Sequence, residues 1–299
     1  MERLKSLLRK VPILVRLNHA YFAGKKHVSL WWSNTCYRDE IRLIKSLPLF
    51  APNTSGYFQG LESTIRDLTI LSASSVLPQL EALSTRMKGK AVPIVSAEEF
   101  CRLHDASAEA EALRNIFDSY GCDKSRNHDY HLVYGAVLKR LGSVASMLEI
   151  GLGTTNTDVV SNMGAVWTPG NSLRAFRQYL PAAMIYGADI DKRILFQEER
   201  IRTFPVDQTE ATTLKDLAVS IPGSLDLIID DGLHAPNANL AVLDFSLSKV
   251  RPGGWVVIED IAEEAAPLWR VVAALMSESH EVHLISAKGG MVFAVQIPN

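Results

Sequence analysis

From Ala145 onward, short apolar runs alternate with segments of helical period, and this alternation restricts the fold more than any other feature of the chain. The runs fall at residues 146–150, 184–188, 202–206, 225–230, 254–259, 280–286 and 290–297, with helical stretches between the first six. Strands that alternate with helices pack as a mostly parallel sheet covered on both faces. Only "AKGG" separates the last two runs, too little for a crossover helix, so they are expected to pair antiparallel as a hairpin. The expected fold class is α/β: a Rossmann-like, doubly wound sheet with an antiparallel last strand.

The first third reads differently. Residues 1–110 are expected to form a mainly helical N-terminal region, and 111–299 the catalytic domain. Gln59 to Met87 carries Leu61, Ile65, Leu68 and Leu71 at helical spacing, with Pro78 placed to kink or end a helix. "SAEEF" at Ser96 has the Ser-x-x-Glu spacing of a capping box. Helices are expected at 97–104, 107–119 and 128–141. From Met1 to Lys45 ten Lys or Arg residues face three acids, Glu2, Asp39 and Glu40. Such a basic amphipathic segment suits peripheral contact with an anionic membrane face or a partner, or a solvated helical extension. The Trp31–Trp32 pair reads as core or as an acceptor-facing surface.

Composition narrows the class. A length of 299 residues, 47% hydrophobic and 21% charged, is that of a soluble globular protein. The net charge of −2 gives no reason to expect nucleic acid. Cys36, Cys101 and Cys122 are scattered, without a CxxC pair, which fits a reducing, cytoplasmic setting and argues against a disulfide framework or a zinc cage. No apolar run approaches the roughly 20 residues that span a bilayer.

The chemistry gathers between Ser224 and Asp260. "SLDLIIDDGLH" ends an apolar strand in Asp230 and Asp231, with His234 three residues on, and "RPGGWVVIEDI" ends another in Glu259 and Asp260. Ligands of an open parallel sheet sit outside the carboxyl ends of its strands. Four carboxylates converging there beside an imidazole repel one another unless a cation is held among them. An oxygen-rich donor set suits a hard cation such as Mg²⁺ and suits zinc poorly. Adjacent residues of a regular strand face opposite sides, so Glu259 and Asp260 share an ion only if the strand breaks there.

The first strand speaks to the cofactor. "MLEIGLGTTN" places Glu149 at the strand end, followed by Gly151 and Gly153, but a nicotinamide fingerprint needs a third small residue where Asn156 stands. The second strand ends in Asp189, suited to a ribose diol, and the third in Asp207 and Gln208, suited to an adenine edge. Acids or amides at the tips of four strands, Asp230 among them, describe a pocket for adenosine joined to a zwitterion. S-adenosylmethionine fits that description.

The stretches "GCDKSRNHDYHLVY", "MLEIGLG", "PGNSLRAFRQYLPAAMIYGADID", "VDQ", "IIDDGLH" and "RPGGWVVIEDI", across residues 115–262, resemble in order and spacing the metal-dependent class I sugar O-methyltransferases of the mycinamicin 2''-O-methyltransferase group. Glu259 follows Asp231 by 28 positions, the interval of that family's metal ligands. The resemblance implies Asp231, Glu259 and Asp260 as Mg²⁺ ligands, His234 as general base, and Lys124 among the cofactor-binding residues. It departs from the family at Cys122, where a serine is usual, at Ser125, where a glycine is, and at Leu233, where a serine is. It implies methyl transfer to a hydroxyl of a sugar in a glycan, glycolipid or glycosylated metabolite, and a homo-oligomer is expected. Two other classes remain open at this point: a cofactor-binding scaffold without turnover, and an oxidoreductase or metal hydrolase on a similar sheet.

Overall fold

The computed structural model describes residues 76–84, 91–164 and 167–299. The basic N-terminal segment, Trp31–Trp32 and the expected helical residues before 76 lie outside the described residues. The chain divides into two compact units, Met1–Val76 and Leu77–Asn299, and the sheet belongs to the second. Residues 76–84 are helical and include Pro78.

A nine-stranded sheet forms the frame. Its strands are β1 (Ile94–Ser96), β2 (Ser146–Ile150), β3 (Met184–Asp189), β4 (Gln197–Glu198), β5 (Ile201–Pro205), β6 (Leu225–Asp230), β7 (Val250–Ile261), β8 (Glu281–Ala287) and β9 (Gly290–Gln296). They lie in the order β1-β8-β9-β7-β6-β2-β3-β5-β4. β9 runs antiparallel between β7 and β8, while β5, β3, β2, β6 and β7 are mutually parallel. The order reverses at β2, so a crevice opens above the tips of β2 and β6. Within β7 the side chains alternate between two cores: Trp255 and Val257 face one, Val256 and Ile258 the other.

The helices are α1 (Ala97–Leu103), α2 (Ser107–Ser119), α3 (Asp123–Arg126), α4 (Tyr130–Leu141), α5 (Asn171–Tyr179), α6 (Ala211–Ser220), α7 (Pro236–Lys249) and α8 (Ala266–Met276). Ser96 caps α1 as its spacing anticipates, its hydroxyl accepting from the Glu99 amide at 3.1 Å. α2 and α4 cross closely at Gly135, where a Cβ would lie 2.7 Å from the Ala110 nitrogen. Residue 110 lies within α2, and the Leu77–Asn299 unit takes in β1 and α1 as well.

Two local expectations are corrected. No α-helix connects β3 to β5; a 3-10 turn (Lys192–Ile194) and β4 stand there instead. The segment is pinned to β5, because Thr203 Oγ1 accepts from the Phe196 amide at 2.6 Å and β4 pairs antiparallel with β5. The helix expected from 128 begins at Tyr130, because Asp129 takes the left-handed conformation at φ +58° and separates it from α3. Strands β1 and β4, three and two residues long, were too short to carry a period. Among the described residues no helix is long and apolar enough to cross a membrane.

Candidate active site

A cavity of about 540 Å³ opens at the carboxyl ends of β2, β3, β5, β6 and β7. Gly151, Asp189, Asp207, Gln208, Asp231, His234 and Asp260 line it. Lys124, Glu149, Asp230 and Glu259 stand behind its wall, each buried. The structure thus separates the residues expected from sequence into a lining set and a supporting set.

The supporting set centres on Lys124, which is 1% exposed. Its ammonium donates to Asp231 Oδ2 at 2.7 Å and to Glu259 Oε2, and lies 3.1 Å from Glu149 Oε1. Burial works against that charge, but the carboxylates of Asp231, Glu259 and Glu149 outweigh it and hold Lys124 well above its usual range. The Glu149 and Glu259 carboxyls are pushed upward, burial being the main cause. One ammonium thus serves three carboxyl groups, with Asp260 close by. Lys124 also borders a smaller cavity of about 30 Å³ with Asn171 and Ser172.

Glu259 and Asp260 sit where β7 breaks. The pairing of β7 with β9 shifts register between Ile258 and Ile261, and Asp260 has φ +52°. The break required for the two acids to serve one site is therefore present. Tyr134 donates to Glu259 Oε1 from within α4. One helical turn earlier, Tyr130 donates to Asp260 Oδ1 at 2.5 Å and accepts from the Asp260 amide at 3.2 Å. Asp260 Oδ2 points to the other side, 3.8 Å from His234 Nε2. Asp231, His234 and Asp260 each bring a ligand atom within 4.8 Å of the others. His234 also has a left-handed backbone, φ +58°, a strained conformation of the kind found at functional sites. The two carboxylates can hold a divalent cation while leaving positions for water or an acceptor, with the His234 imidazole beside it as a base.

The far end of the cavity is set by Asp189. Its Oδ2 accepts from the Leu152 amide at 2.7 Å and its Oδ1 from the Asp191 amide at 2.8 Å. Each carboxylate oxygen keeps a further lone pair, so a ribose hydroxyl can still be bound. Gly151, at φ +97°, lets the β2 loop pass the next one: a Cβ there would lie 1.9 Å from the Asp231 carbonyl. Asp207 accepts from the amide and hydroxyl of Thr209 at 2.9 and 2.6 Å. Gln208 donates to Asp230 Oδ1 at 2.5 Å and accepts from the Leu233 amide at 2.8 Å, which ties the His234 loop to the floor of the site. Asn239 donates to the other Asp230 oxygen at 2.9 Å, and burial pushes the Asp230 carboxyl up to about 6.

Several site residues were not singled out in the sequence: Asp123, Asp191 and Arg193 on the cavity wall, and Tyr130, Tyr134 and His128 beneath it. The i,i+4 spacing of the two tyrosines was a readable signal that both face one way. A second grouping, His104, Glu281 and His283, also brings potential ligands together. There Arg140 grips both Glu281 oxygens at 2.7 Å, so that grouping is already neutralised.

No protein-family model matches the chain. It is similar to 8-demethyl-8-alpha-L-rhamnosyl tetracenomycin-C 2'-O-methyltransferase of Streptomyces olivaceus, 29% identical over 179 residues, which are 60% of this chain and 45% of that protein. It is 42% identical over 93 residues to mycinamicin VI 2''-O-methyltransferase of Micromonospora griseorubida, covering 31% of this chain and 23% of that protein. The chain thus spans less than half the length of these curated relatives. Among solved structures, the MycE methyltransferase of the mycinamycin biosynthetic pathway in complex with Mg and SAH (crystal form 2) superposes with a TM-score of 0.50 at 22% identity, over 62% of this chain and 53% of that one. The fold is that of a class I methyltransferase, and in sequence the chain is related to sugar O-methyltransferases.

Proposed function

We propose that this chain transfers a methyl group from S-adenosylmethionine to a hydroxyl of a sugar-bearing acceptor, with a divalent cation such as Mg²⁺ at Asp231 and Asp260. One observation carries the reading: Asp231, His234 and Asp260 converge within 4.8 Å on the wall of a cavity whose other end is formed by Asp189 and Asp207. The names of the related proteins, sugar O-methyltransferases, support the acceptor class.

The residues present fit both groups. Asp189 and Asp207 offer acceptors for ribose and adenine, and the cavity volume is within the range of cofactor sites. Asp231 and Asp260 are half-buried oxygen donors, and Glu259, joined to Lys124 and Tyr134, stands directly behind them. When bound, the cofactor supplies an electrophilic methyl group and the cation supplies Lewis acidity toward the acceptor oxygen. His234 takes the proton of the attacking hydroxyl at Nε2, the nitrogen facing Asp260. Asp260 steadies the imidazolium that results. Gln208 and Asp230 hold the loop that carries His234, so the base is fixed before the acceptor arrives.

The direct test is transfer of labelled methyl from S-adenosylmethionine to a panel of purified glycans and glycosylated metabolites, with and without chelator. Label appearing in a sugar hydroxyl only when the metal is present supports the reading. Cofactor binding without transfer to any glycan, or transfer at full rate in chelator, removes it.

A further inference from the structure

Two consecutive acids on a strand ordinarily point to opposite faces. Here both are held from one helix. Tyr134 bonds Glu259, and Tyr130, one turn before it on α4, bonds Asp260. The match between a helical i,i+4 pair and a strand i,i+1 pair is possible only because β7 bulges at Asp260.

We propose that Tyr130 is a positioning residue for the cation site, whose hydroxyl fixes the Asp260 bulge and aims the Asp260 carboxylate at Asp231 and His234. The proposal rests on the divalent-cation reading given above. Its basis is the pair of hydrogen bonds made by one hydroxyl oxygen. A phenol has one proton to donate and lone pairs to accept with. The Tyr130 hydroxyl uses both, donating to Asp260 Oδ1 at 2.5 Å and accepting from the Asp260 amide at 3.2 Å. Side chain and main chain of the same residue are thereby locked together at φ +52°, a region that a β-strand residue does not otherwise enter.

The lock also chooses which oxygen faces the cavity. With Oδ1 turned to Tyr130, and to His128 Nδ1 at 3.4 Å, Oδ2 is the oxygen facing His234 Nε2 at 3.8 Å. The ring itself has little freedom. Tyr130 is buried, and the His128 imidazole stacks on it with centroids 5.1 Å apart and planes 21° from parallel. Tyr130 does not line the cavity, so its effect on a bound ion passes through Asp260. Hydrogen-bond partners of metal ligands typically change metal affinity 10–100-fold when removed.

The experiment uses Mn²⁺, visible by electron paramagnetic resonance, titrated into the full chain as wild type, Tyr130→Phe and Asp260→Asn. S-adenosylhomocysteine binding and thermal melting are followed in parallel. The expected result is Mn²⁺ binding by the wild type, its loss in Asp260→Asn, and an affinity about 10–100-fold weaker in Tyr130→Phe, with S-adenosylhomocysteine still bound. Wild-type affinity in Tyr130→Phe alongside loss in Asp260→Asn overturns the role of Tyr130 and leaves the cation reading standing. A wild type that binds no Mn²⁺ overturns both. If Tyr130→Phe does not fold, the wild type decides: Mg²⁺ should perturb a tyrosine band in the near-ultraviolet difference spectrum, and a flat spectrum overturns the proposal.

Discussion

Asp231 Oδ2 lies 2.7 Å from Lys124 Nζ, joining α3 to the tip of β6 across 107 positions of sequence. The same ammonium reaches Glu259 on β7 and Glu149 on β2. A single cation therefore ties three strand tips together. Lys124→Met should leave three buried or half-buried carboxylates facing one another, and removing one partner of a buried ion pair costs about 3–5 kcal/mol. Urea denaturation reads this directly. A loss below about 1 kcal/mol would mean that Glu149 and Glu259 are held protonated and never depended on Lys124 for charge balance.

The strands were legible because each central one is an apolar run bounded by turn residues, and the "AKGG" hairpin was legible because four residues cannot hold a crossover. The acids at strand tips were legible for the same reason: the end of a parallel strand is a known place. Sequence could not show which way each acid turns. Asp231 and Asp260 face the cavity while Glu259 and Asp230 face protein, and that division depends on Lys124, Tyr134, Gln208 and Asn239, which approach from other elements. Lys124 was expected beside the cofactor. Its burial among carboxylates 25, 107 and 135 positions away belongs to tertiary structure alone.

Asp189 offers a second measurement. Its two oxygens anchor the loops after β2 and β3 through the Leu152 and Asp191 amides, and its exposed edge belongs to the cavity. Hydrogen bonds to a charged group contribute about 1.5–3 kcal/mol each. Asp189→Ala should weaken S-adenosylhomocysteine binding by at least about tenfold, since 1.4 kcal/mol is a factor of ten. Asp207→Ala should weaken it less, because an adenine contact is a single hydrogen bond worth about 0.5–1.5 kcal/mol. Calorimetric titration yielding wild-type affinity for Asp189→Ala would move the ribose contact elsewhere.

A pH effect is expected far from the cavity. His283 stacks on Trp255, meets Phe100 edge-on, and faces Glu281, Arg140 and His104. Burial first, and Arg140 in addition, lower its tendency to take a proton, although Glu281 pulls the other way. The folded state therefore binds fewer protons than the unfolded chain just below the unfolded histidine value of about 6.5. Stability is full above that value and is lost as pH falls from it toward the lowered folded value. His283→Phe keeps the ring and removes the proton site. Its melting temperature should fall less than that of wild type as pH drops from about 6.5, and parallel curves for the two proteins would exclude His283 as the source.

The remaining prediction separates the base from the ion. His234 and the two cavity-facing carboxylates share one wall, so loss of activity alone cannot distinguish them. Binding can. Chelation should stop methyl transfer and leave S-adenosylhomocysteine bound, because Asp189 and Asp207 lie at the other end of the cavity. Asp231→Asn should mimic chelation and also loosen the Lys124 cluster, lowering stability. His234→Ala should retain cofactor and Mn²⁺ yet lose about 10²–10⁴-fold in transfer rate, the usual contribution of a positioned general base. Were His234→Ala to lose Mn²⁺ along with rate, the imidazole would be a ligand, and the proton would have to leave through another group on that wall.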